Sequence, residues 1–385
     1  DLVASVCGIV DTDDDVRIPS DNCARTPVTT WVMLQEGDNL ITAVSTARAG
    51  YKANGGAWAL CLGPGRYTES TVVQLDFPLV FEGGFDNPTI VNSNIGMERM
   101  CWHNLKDARS AFRRLTLESL TREKWTSNPK LSGLVSVAAG MLEGVTVTNA
   151  FSGTNFDSGK GAVWVSGTGV VTNCLITHCR GMCASTGKDT LGAVNLAGGL
   201  IASTRITHCS SEGTSNGVGG GIYLGTATED AKVINCTVVK NKSTKSSGGG
   251  ISRVDKGGYV INTIAYDNTA NSGAQNFTAG SDAATHVLCC ASDTAFGTAS
   301  VELAKPPYDP VTYELDPKNA DGCINHGTND YVVSTLDFFG NPRIFNNVVD
   351  IGAYEYAKTD IVPGITPSTT ELAGTGEVTF TATVQ

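Results

Sequence analysis

The sequence predicts an all-β fold, a parallel β-helix solenoid, from a repeat, a strand pattern and a composition rich in glycine. Cassettes recur at spacings of 30, 29, 30, 32 and 27 residues, with anchors at Leu115, Val145, Cys174, Thr204, Cys236 and Thr263. A fixed period of ~20 to 50 residues is typical of solenoids. Glycine accounts for 44 of the 385 residues and aromatic residues for 7%, which suits a narrow interior with tight corners.

Each cassette places apolar residues at fixed distances from its anchor. Three positions before it stand Phe112, Leu142, Val171, Ile201, Val233 and Val260, and two positions after it stand Leu117, Val147, Ile176, Ile206, Val238 and Ala265. We expect these side chains to stack in ladders, with successive coils ~4.8 Å apart. Asn173, Asn235 and Asn262 precede their anchors, and asparagine favours a bend because it tolerates left-handed backbone angles.

A further strand in each coil begins with glycine. Gly133, Gly161, Gly192, Gly220 and Gly249 each introduce a short segment in which apolar and variable residues alternate. A period of two indicates a strand with one buried face. The sequence therefore predicts three short strands per coil, two beside the bend and one led by glycine.

One good helical pattern lies ahead of the repeat. Its apolar face consists of Leu40, Ile41, Val44, Ala47 and Tyr51. Asp38 is the expected N-cap, and Gly50 lies near the C-terminal end. Because a solenoid has an open end, we expect this amphipathic helix to cap it.

Two stretches outside the repeat carry a resemblance to a known group. One runs from Trp58 to Ser70 and continues from Pro78 to Phe85, and the other runs from Asn341 to Tyr356. They resemble the first coil and the closing segment of right-handed parallel β-helix proteins of the pectin-lyase-like type, particularly bacterial surface proteins of the choice-of-anchor group. The resemblance implies a right-handed parallel β-helix solenoid with an N-terminal capping helix. It implies little about function, because one fold hosts many functions.

The predicted domain organisation has three parts. Residues 1–30 form an N-terminal segment, and residues 31–357 form the β-helix domain with its cap and closing segment. Residues 358–385 are interpreted as a linker and the incomplete start of an Ig-like module, so we expect the natural protein to continue past residue 385.

Charge and hydropathy limit the partners of the chain. Lys and Arg number 27 against 38 Asp and Glu, a net charge of −11 that argues against nucleic acid and anionic membranes. No apolar stretch approaches the ~20 residues of a membrane span, and no signal peptide is visible. We expect a monomer without a membrane-spanning segment.

Twelve cysteines raise the question of disulfides or zinc. No CxxC pair occurs and no histidine stands at zinc-finger spacing, so we favour free, buried thiols. Cys174 and Cys236 are anchors two coils apart, ~10 Å by the coil spacing and too far for a disulfide. Cys179 and Cys209 lie one coil apart, where parallel side chains leave the Cβ atoms slightly too distant.

Enzymes of the resembled fold generally use carboxylates on the outward face of the glycine-led strands or in loops beside them. The outward row here contains none, and consists of Ser136, Trp164, Asn195, Tyr223 and Ser252. Glycoside hydrolysis needs two acids, and a lyase needs a base. Acidic residues in the neighbouring loops could reach this row, although an ordinary solvated loop position is the simpler interpretation of each. They are Asp157, Asp189, Glu212, Asp230 and Asp255.

Trp164 and Tyr223 are the candidate ligand-binding residues, together with Asn195. The three share one outward register, so two rings ~10 Å apart flank an amide. Exposed rings on a rigid sheet are suited to stacking on sugars, and the amide offers both a donor and an acceptor to a hydroxyl. In the alternative, the loops 150–160 and 180–191 fold over both rings and bury them.

Two groups of residues raise the question of a metal site. His178 and His208 fall one coil apart, but two ligands are too few and no carboxylate joins them. Asp11, Asp13, Asp14 and Asp15 lack EF-hand spacing and are interpreted as a solvated loop. The sequence therefore predicts no metal and no cofactor.

Three isoleucines fall at positions that the strand alternation points outward. These are Ile234, Ile261 and Ile264. We interpret them as a docking surface for the C-terminal segment, because a row of exposed apolar residues favours a covering partner.

The sequence favours a secreted or cell-surface bacterial protein, adhesin-like or glycan-binding, with a polysaccharide or a host or cell-surface glycan as partner. One alternative is a polysaccharide lyase or glycoside hydrolase with acids in its loops. Another is a structural spacer of a larger surface protein, without a ligand of its own. The missing carboxylate row favours binding over catalysis, although an enzyme stays open.

Overall fold

The molecule is a parallel β-solenoid of about seven turns with very little helix, which confirms the predicted fold class. The structure is a computed structural model, and it describes residues 28–84, 88–92, 103–119, 130–131, 133–154, 161–183, 189–213, 216–225, 230–245 and 247–356. The acidic run at residues 11–15 and the module predicted from residue 358 lie outside the described residues.

Four sheets follow the solenoid, and each grows by one strand per coil. Sheet A consists of Thr30–Leu34, Trp58–Leu62, Leu79–Glu82, Ala111–Arg113, Met141–Glu143, Val170–Thr172, Leu200–Ala202, Lys232–Ile234, Tyr259–Ile261 and Val287–Leu288. Sheet B consists of Arg66–Glu69, Thr89–Asn92, Thr116–Ser119, Thr146–Thr148, Leu175–Thr177, Arg205–Thr207, Thr237–Val239, Ile264–Tyr266, Ala291–Ser292 and Val301–Glu302.

Sheets C and D complete the coils. Sheet C consists of Val73–Leu75, His103–Leu105, Val135–Val137, Val163–Val165, Val194–Leu196, Ile222–Leu224, Ile251–Arg253 and Phe277–Thr278. Sheet D consists of Lys130–Leu131, Phe151–Thr154, Arg180–Cys183, Ser210–Gly213, Lys242–Ser243 and Thr269–Ala270. Asp189–Leu191 and Asn216–Val218 form a separate pair, and the helices are Leu40–Asn54, Ala283–His286 and the 3₁₀ turn Asn329–Tyr331.

The strand register confirms the predicted ladders. In sheet A, Val171 pairs with Ile201, Ile201 with Val233, and Val233 with Val260. In sheet B, Ile206 lies between Ile176 and Val238. All of these side chains have 0% exposure, so the inward positions form one continuous core.

The bend between sheets A and B confirms the role expected of asparagine. Asn173, Asn235 and Asn262 have φ angles of 52°, 51° and 48°, in the left-handed region. Arg114 and Ser203 occupy the same corner in other coils with φ of 49° and 44°. Asparagine therefore favours the corner without being required there.

Sheet D corrects the prediction of three strands per coil. The chain turns a second time after sheet B, at residues whose φ angles lie between 52° and 56°: Asn149, His178, His208, Lys240 and Asp267. The predicted loops 150–160 and 180–191 consequently begin as the strands Phe151–Thr154 and Arg180–Cys183. Strands of two to four residues are too short to show an alternating pattern.

Buried polar side chains connect the corners of successive coils. At the anchor position, Thr204 donates to the carbonyl of Ala202 at 2.7 Å and accepts from the amide of Cys174 at 3.3 Å. At the second corner, Asn241 accepts from the amide of Cys209 at 3.0 Å and donates to the carbonyl of Ile206 at 3.0 Å. These bonds satisfy buried backbone groups that the strand ladders leave over.

The eight cysteines whose side chains the structure describes are free thiols, as predicted. Cys61, Cys174, Cys179, Cys209, Cys236, Cys290 and Cys323 are buried, and Cys289 is partly exposed. Burial raises the pKa of Cys174 and Cys236 to about 12. Both therefore act as small, neutral core residues.

The N-terminal helix, Leu40–Asn54, buries its predicted face against the first coil. Leu40, Val44 and Ala47 are buried. Asp38 was wrongly predicted as the N-cap. Asn39 caps the helix by accepting from the amide of Thr42 at 2.9 Å, while the carboxylate of Asp38 is occupied by the amide of Gln35 at 2.7 Å.

The C-terminal segment, residues 303–356, docks on the outer face of the solenoid. Ile264 lies in one buried cluster with Ile351 and Tyr354, which confirms its interpretation as a docking residue. Ile234 and Ile261 are buried as well. Side-chain amides of the first corner anchor the segment: Asn235 donates to the carbonyl of Asp350 at 3.2 Å and Asn262 to that of Thr328 at 2.9 Å.

Four buried charged side chains hold the C-terminal segment in place. Asp337, Arg343, Asp350 and Glu355 are each at most 6% exposed. Arg343 donates to the carbonyls of Asp350 and Gly352 at 2.9 and 2.8 Å. Each carboxylate accepts from backbone amides, and Asp337 alone accepts from those of Phe339, Asn341 and Glu355. Side-chain oxygens thus replace the strand partners that this irregular chain lacks.

Ile206→Asp is expected to cost several kcal/mol of unfolding free energy, because it places an unpaired charge in the core ladder. Ile206→Val is the matched control and should cost about 1 kcal/mol. Urea denaturation monitored by circular dichroism measures both. Equal midpoints for the two variants would contradict the inward position of Ile206.

His103 predicts a loss of stability in acid. It lies in the interior, between Val73 and Val135, and neither ring nitrogen has a hydrogen-bond partner in the part of the chain that the structure describes. Burial lowers its pKa to about 4 from 6.5. Above pH ~6.5 the imidazole is neutral in both the folded and the unfolded chain. As the pH falls to ~4, only the unfolded chain takes up the proton, which lowers the free energy of unfolding by about 3 kcal/mol.

The variant His103→Leu should remove this part of the pH dependence, while His326→Gln, at an exposed histidine, should retain it. Unfolding free energies at pH 7 and pH 4.5 provide the measurement. If His103→Leu leaves the pH dependence of the unfolding free energy unchanged, the His103 imidazole of the wild type is protonated in the folded state at pH 4.5.

Asp337→Ala should destabilise the C-terminal segment by about 3 kcal/mol, because one buried and two partly buried amides lose their acceptor. Hydrogen exchange at Phe339, Asn341 and Glu355 would report the loss, with Asp321→Ala, at an exposed acid, as control. Unchanged protection at these amides would mean that Asp337 does not support the segment.

Candidate functional site

The candidate site lies on the outward positions of sheet C. Trp164 pairs with Asn195, and Asn195 pairs with Tyr223, so the three residues share the predicted register. The full row continues through neighbouring strands and consists of Gln74, Asn104, Ser136, Trp164, Asn195, Tyr223, Ser252 and Thr278. It is uncharged along its whole length.

The three candidate residues differ in exposure. Trp164 and Tyr223 are half-buried, whereas Asn195 between them is only 5% exposed. The Oδ1 atom of Asn195 is buried and accepts no hydrogen bond from the described residues. Complete burial of both rings, the alternative considered from the sequence, therefore does not occur, although the amide is more enclosed than the rings.

The ring of Tyr223 rests on the backbone of its own coil. A Cβ atom added at Gly225 would come within 1.8 Å of the Tyr223 ring carbon Cζ and its hydroxyl oxygen. Glycine at 225 therefore permits this ring position, and any side chain there would displace the ring.

The acids proposed to reach toward the row have other positions or partners. The carboxylate of Glu212 accepts from Arg180 Nε and from the Ser210 hydroxyl, each at 2.8 Å, on sheet D. Asp255 accepts from the amide of Ser281 at 2.5 Å, and Asp230 is exposed. Asp157 and the side chain of Asp189 lie outside the described residues.

His178 and His208 stack at the second corner as predicted. Their ring centroids are 5.2 Å apart and the planes differ by 4°. Each Nδ1 lies near the hydroxyl of the preceding threonine, at 2.8 and 2.9 Å. Burial, followed by the neighbouring His178, Lys240 and Arg205, lowers the pKa of His208. No group of three His, Cys, Asp or Glu side chains that could hold a metal occurs in the described parts of the chain.

Sequence reasoning missed a cavity of about 250 Å³ in the C-terminal segment. Its walls are formed by Glu314, Leu315, Phe339, Asn341, Tyr354, Glu355 and Tyr356. Burial raises the pKa of Glu355 to about 7, but both of its oxygens accept backbone amides, from Phe345 and Asp350. Glu355 is therefore committed to the fold and is not free to act as a general acid.

Comparison of the chain with known proteins identifies no relative. No family model matches the chain, and it has no significant match among curated proteins or solved structures. No helix among the described residues is long and apolar enough to cross a membrane.

Proposed function

We propose that this protein is a glycan-binding, adhesin-like module that acts outside the bacterial cell or on its surface, with Trp164, Asn195 and Tyr223 as its binding residues. The observation that supports it most is the shared register of two half-buried rings around one amide, whose oxygen has no hydrogen-bond partner among the described residues. The resemblance of the first coil and closing segment to pectin-lyase-like surface proteins of the choice-of-anchor group supports the location.

The chemistry of the row suits a sugar. Rings spaced by two coils, ~10 Å, match roughly the length of a disaccharide. A buried acceptor without a donor is costly, by about 1–3 kcal/mol. Because the Oδ1 atom of Asn195 is buried, a sugar hydroxyl would supply that donor only on a local opening of the site. Because the row has no charge, a neutral glycan is favoured over a uronate or sulfated polymer.

The test begins with a glycan array and continues by calorimetry on the glycan that binds. Trp164→Ala and Tyr223→Ala should each weaken binding by about 1–3 kcal/mol, since each removes an aromatic platform. Tyr331→Ala, at an exposed aromatic residue of the C-terminal segment, is the matched control and should bind normally.

Gly225→Ala provides a sharper variant, because it keeps Tyr223 but displaces its ring. We expect it to weaken binding as Tyr223→Ala does, with unchanged thermal stability of the core. If Trp164→Ala and Gly225→Ala bind the glycan as the wild type does, the site is elsewhere. If no glycan binds, the spacer hypothesis is favoured, and release of reducing sugars or unsaturated uronates would favour the enzyme.

A further inference from the structure

The cavity in the C-terminal segment has an aromatic wall that is open to solvent. Phe339 is 50% exposed, and its ring centroid lies 4.8 Å from that of Tyr354 at an angle of 36°. Tyr354 is held in place from below, because its hydroxyl accepts from Arg205 Nη1 at 2.8 Å. Tyr356 is half-buried on the same cavity. Tyr354, which is 2% exposed, is therefore the fixed base of this wall, and Phe339 is its exposed part.

The cavity also has one carboxylate available to a ligand. Glu314 is exposed, and its carboxylate makes no hydrogen bond or ion pair with another described residue. The second carboxylate, Glu355, is occupied by two backbone amides and lies 3.6 Å from Arg343 Nη2. Glu355 is thus held by the fold beside Arg343, and the carboxylate of Glu314 is the one left for a partner.

We propose that this cavity binds an alkylammonium group, as the side chain of a lysine on a partner polypeptide presents it. The ammonium group would lie between the Glu314 carboxylate and the face of an aromatic ring, where both attract a cation. The methylene stem would lie along Phe339 and Leu315, as long basic side chains do on apolar surfaces. The net charge of −11 favours the approach of a basic partner. This site is separate from the row on sheet C.

The first experiment measures binding of Nα-acetyl-lysine N-methylamide to the full chain by NMR titration. The norleucine counterpart, which keeps the stem and lacks the charge, is the control ligand. We expect saturable, weak binding of the lysine probe, at least about fivefold tighter than the norleucine probe and weaker at high salt. Equal binding of the two probes would overturn the proposal, and so would the absence of saturation.

Two pairs of variants locate the site. Glu314→Gln and Phe339→Ala should each weaken the lysine probe by about threefold to tenfold. Glu302→Gln and Ile344→Ala, which change an exposed acid and an exposed apolar residue outside the cavity, should have no effect. Normal binding by Glu314→Gln would also overturn the proposal.

A third comparison distinguishes the source of the ammonium group by setting spermidine against acetyl-trilysine N-methylamide, which carries the same positive charge. Tighter binding of the trilysine probe supports a partner polypeptide, and tighter binding of spermidine overturns that source in favour of a free polyamine at the same site. Because no glycan takes part, these results stand or fall independently of the site on sheet C.

Discussion

The interior hydrogen bonds of the corners are the constraint on which the rest of this solenoid depends. A strand pairs with its neighbours through the sheet, but a corner residue leaves backbone groups in the interior that the sheets do not satisfy. Here the side chain of the next coil satisfies them, for example Asn241 above Cys209 and Asn268 above Asn241, at 3.0 and 2.9 Å. A slip of one residue between coils would break these hydrogen bonds and would also misalign the apolar ladders. The register is therefore fixed both by hydrogen bonding and by core packing.

A fixed register determines what the outer surface can present. Since Trp164, Asn195 and Tyr223 occupy one position on successive strands, their order along the axis follows directly from the core pairing beneath them. The C-terminal segment is not part of this strand pairing, and its backbone is stabilised in a different way. Its amides are satisfied by the carboxylates of Asp337, Asp350 and Glu355, which leaves aromatic side chains free to form a cavity wall.

The sequence predicts those parts of the structure that repeat. The ladder through Val171 and Ile201 and the bend at Asn173 follow from periodic apolar residues and from the backbone preference of asparagine. Sheet D was missed because its strands are too short for a pattern. The outward register of Trp164 follows from the strand alternation, but the low exposure of Asn195, 5%, does not follow from the register alone. The cavity was missed because Glu314 and Phe339 are distant in sequence and belong to no periodic element.

Hydrogen exchange at individual corner amides tests the central claim most directly. The amides of Cys209, Asn241 and Asn268 donate to side chains, at 3.0, 2.9 and 2.8 Å, rather than to the carbonyls of a neighbouring strand. If these side chains complete the core, the three amides should exchange as slowly as strand amides such as those of Ile206 and Val233. Exchange at the rate of exposed loop amides, with the strand amides still protected, would show that the corners open independently and that the side-chain ladders do not hold the coils together.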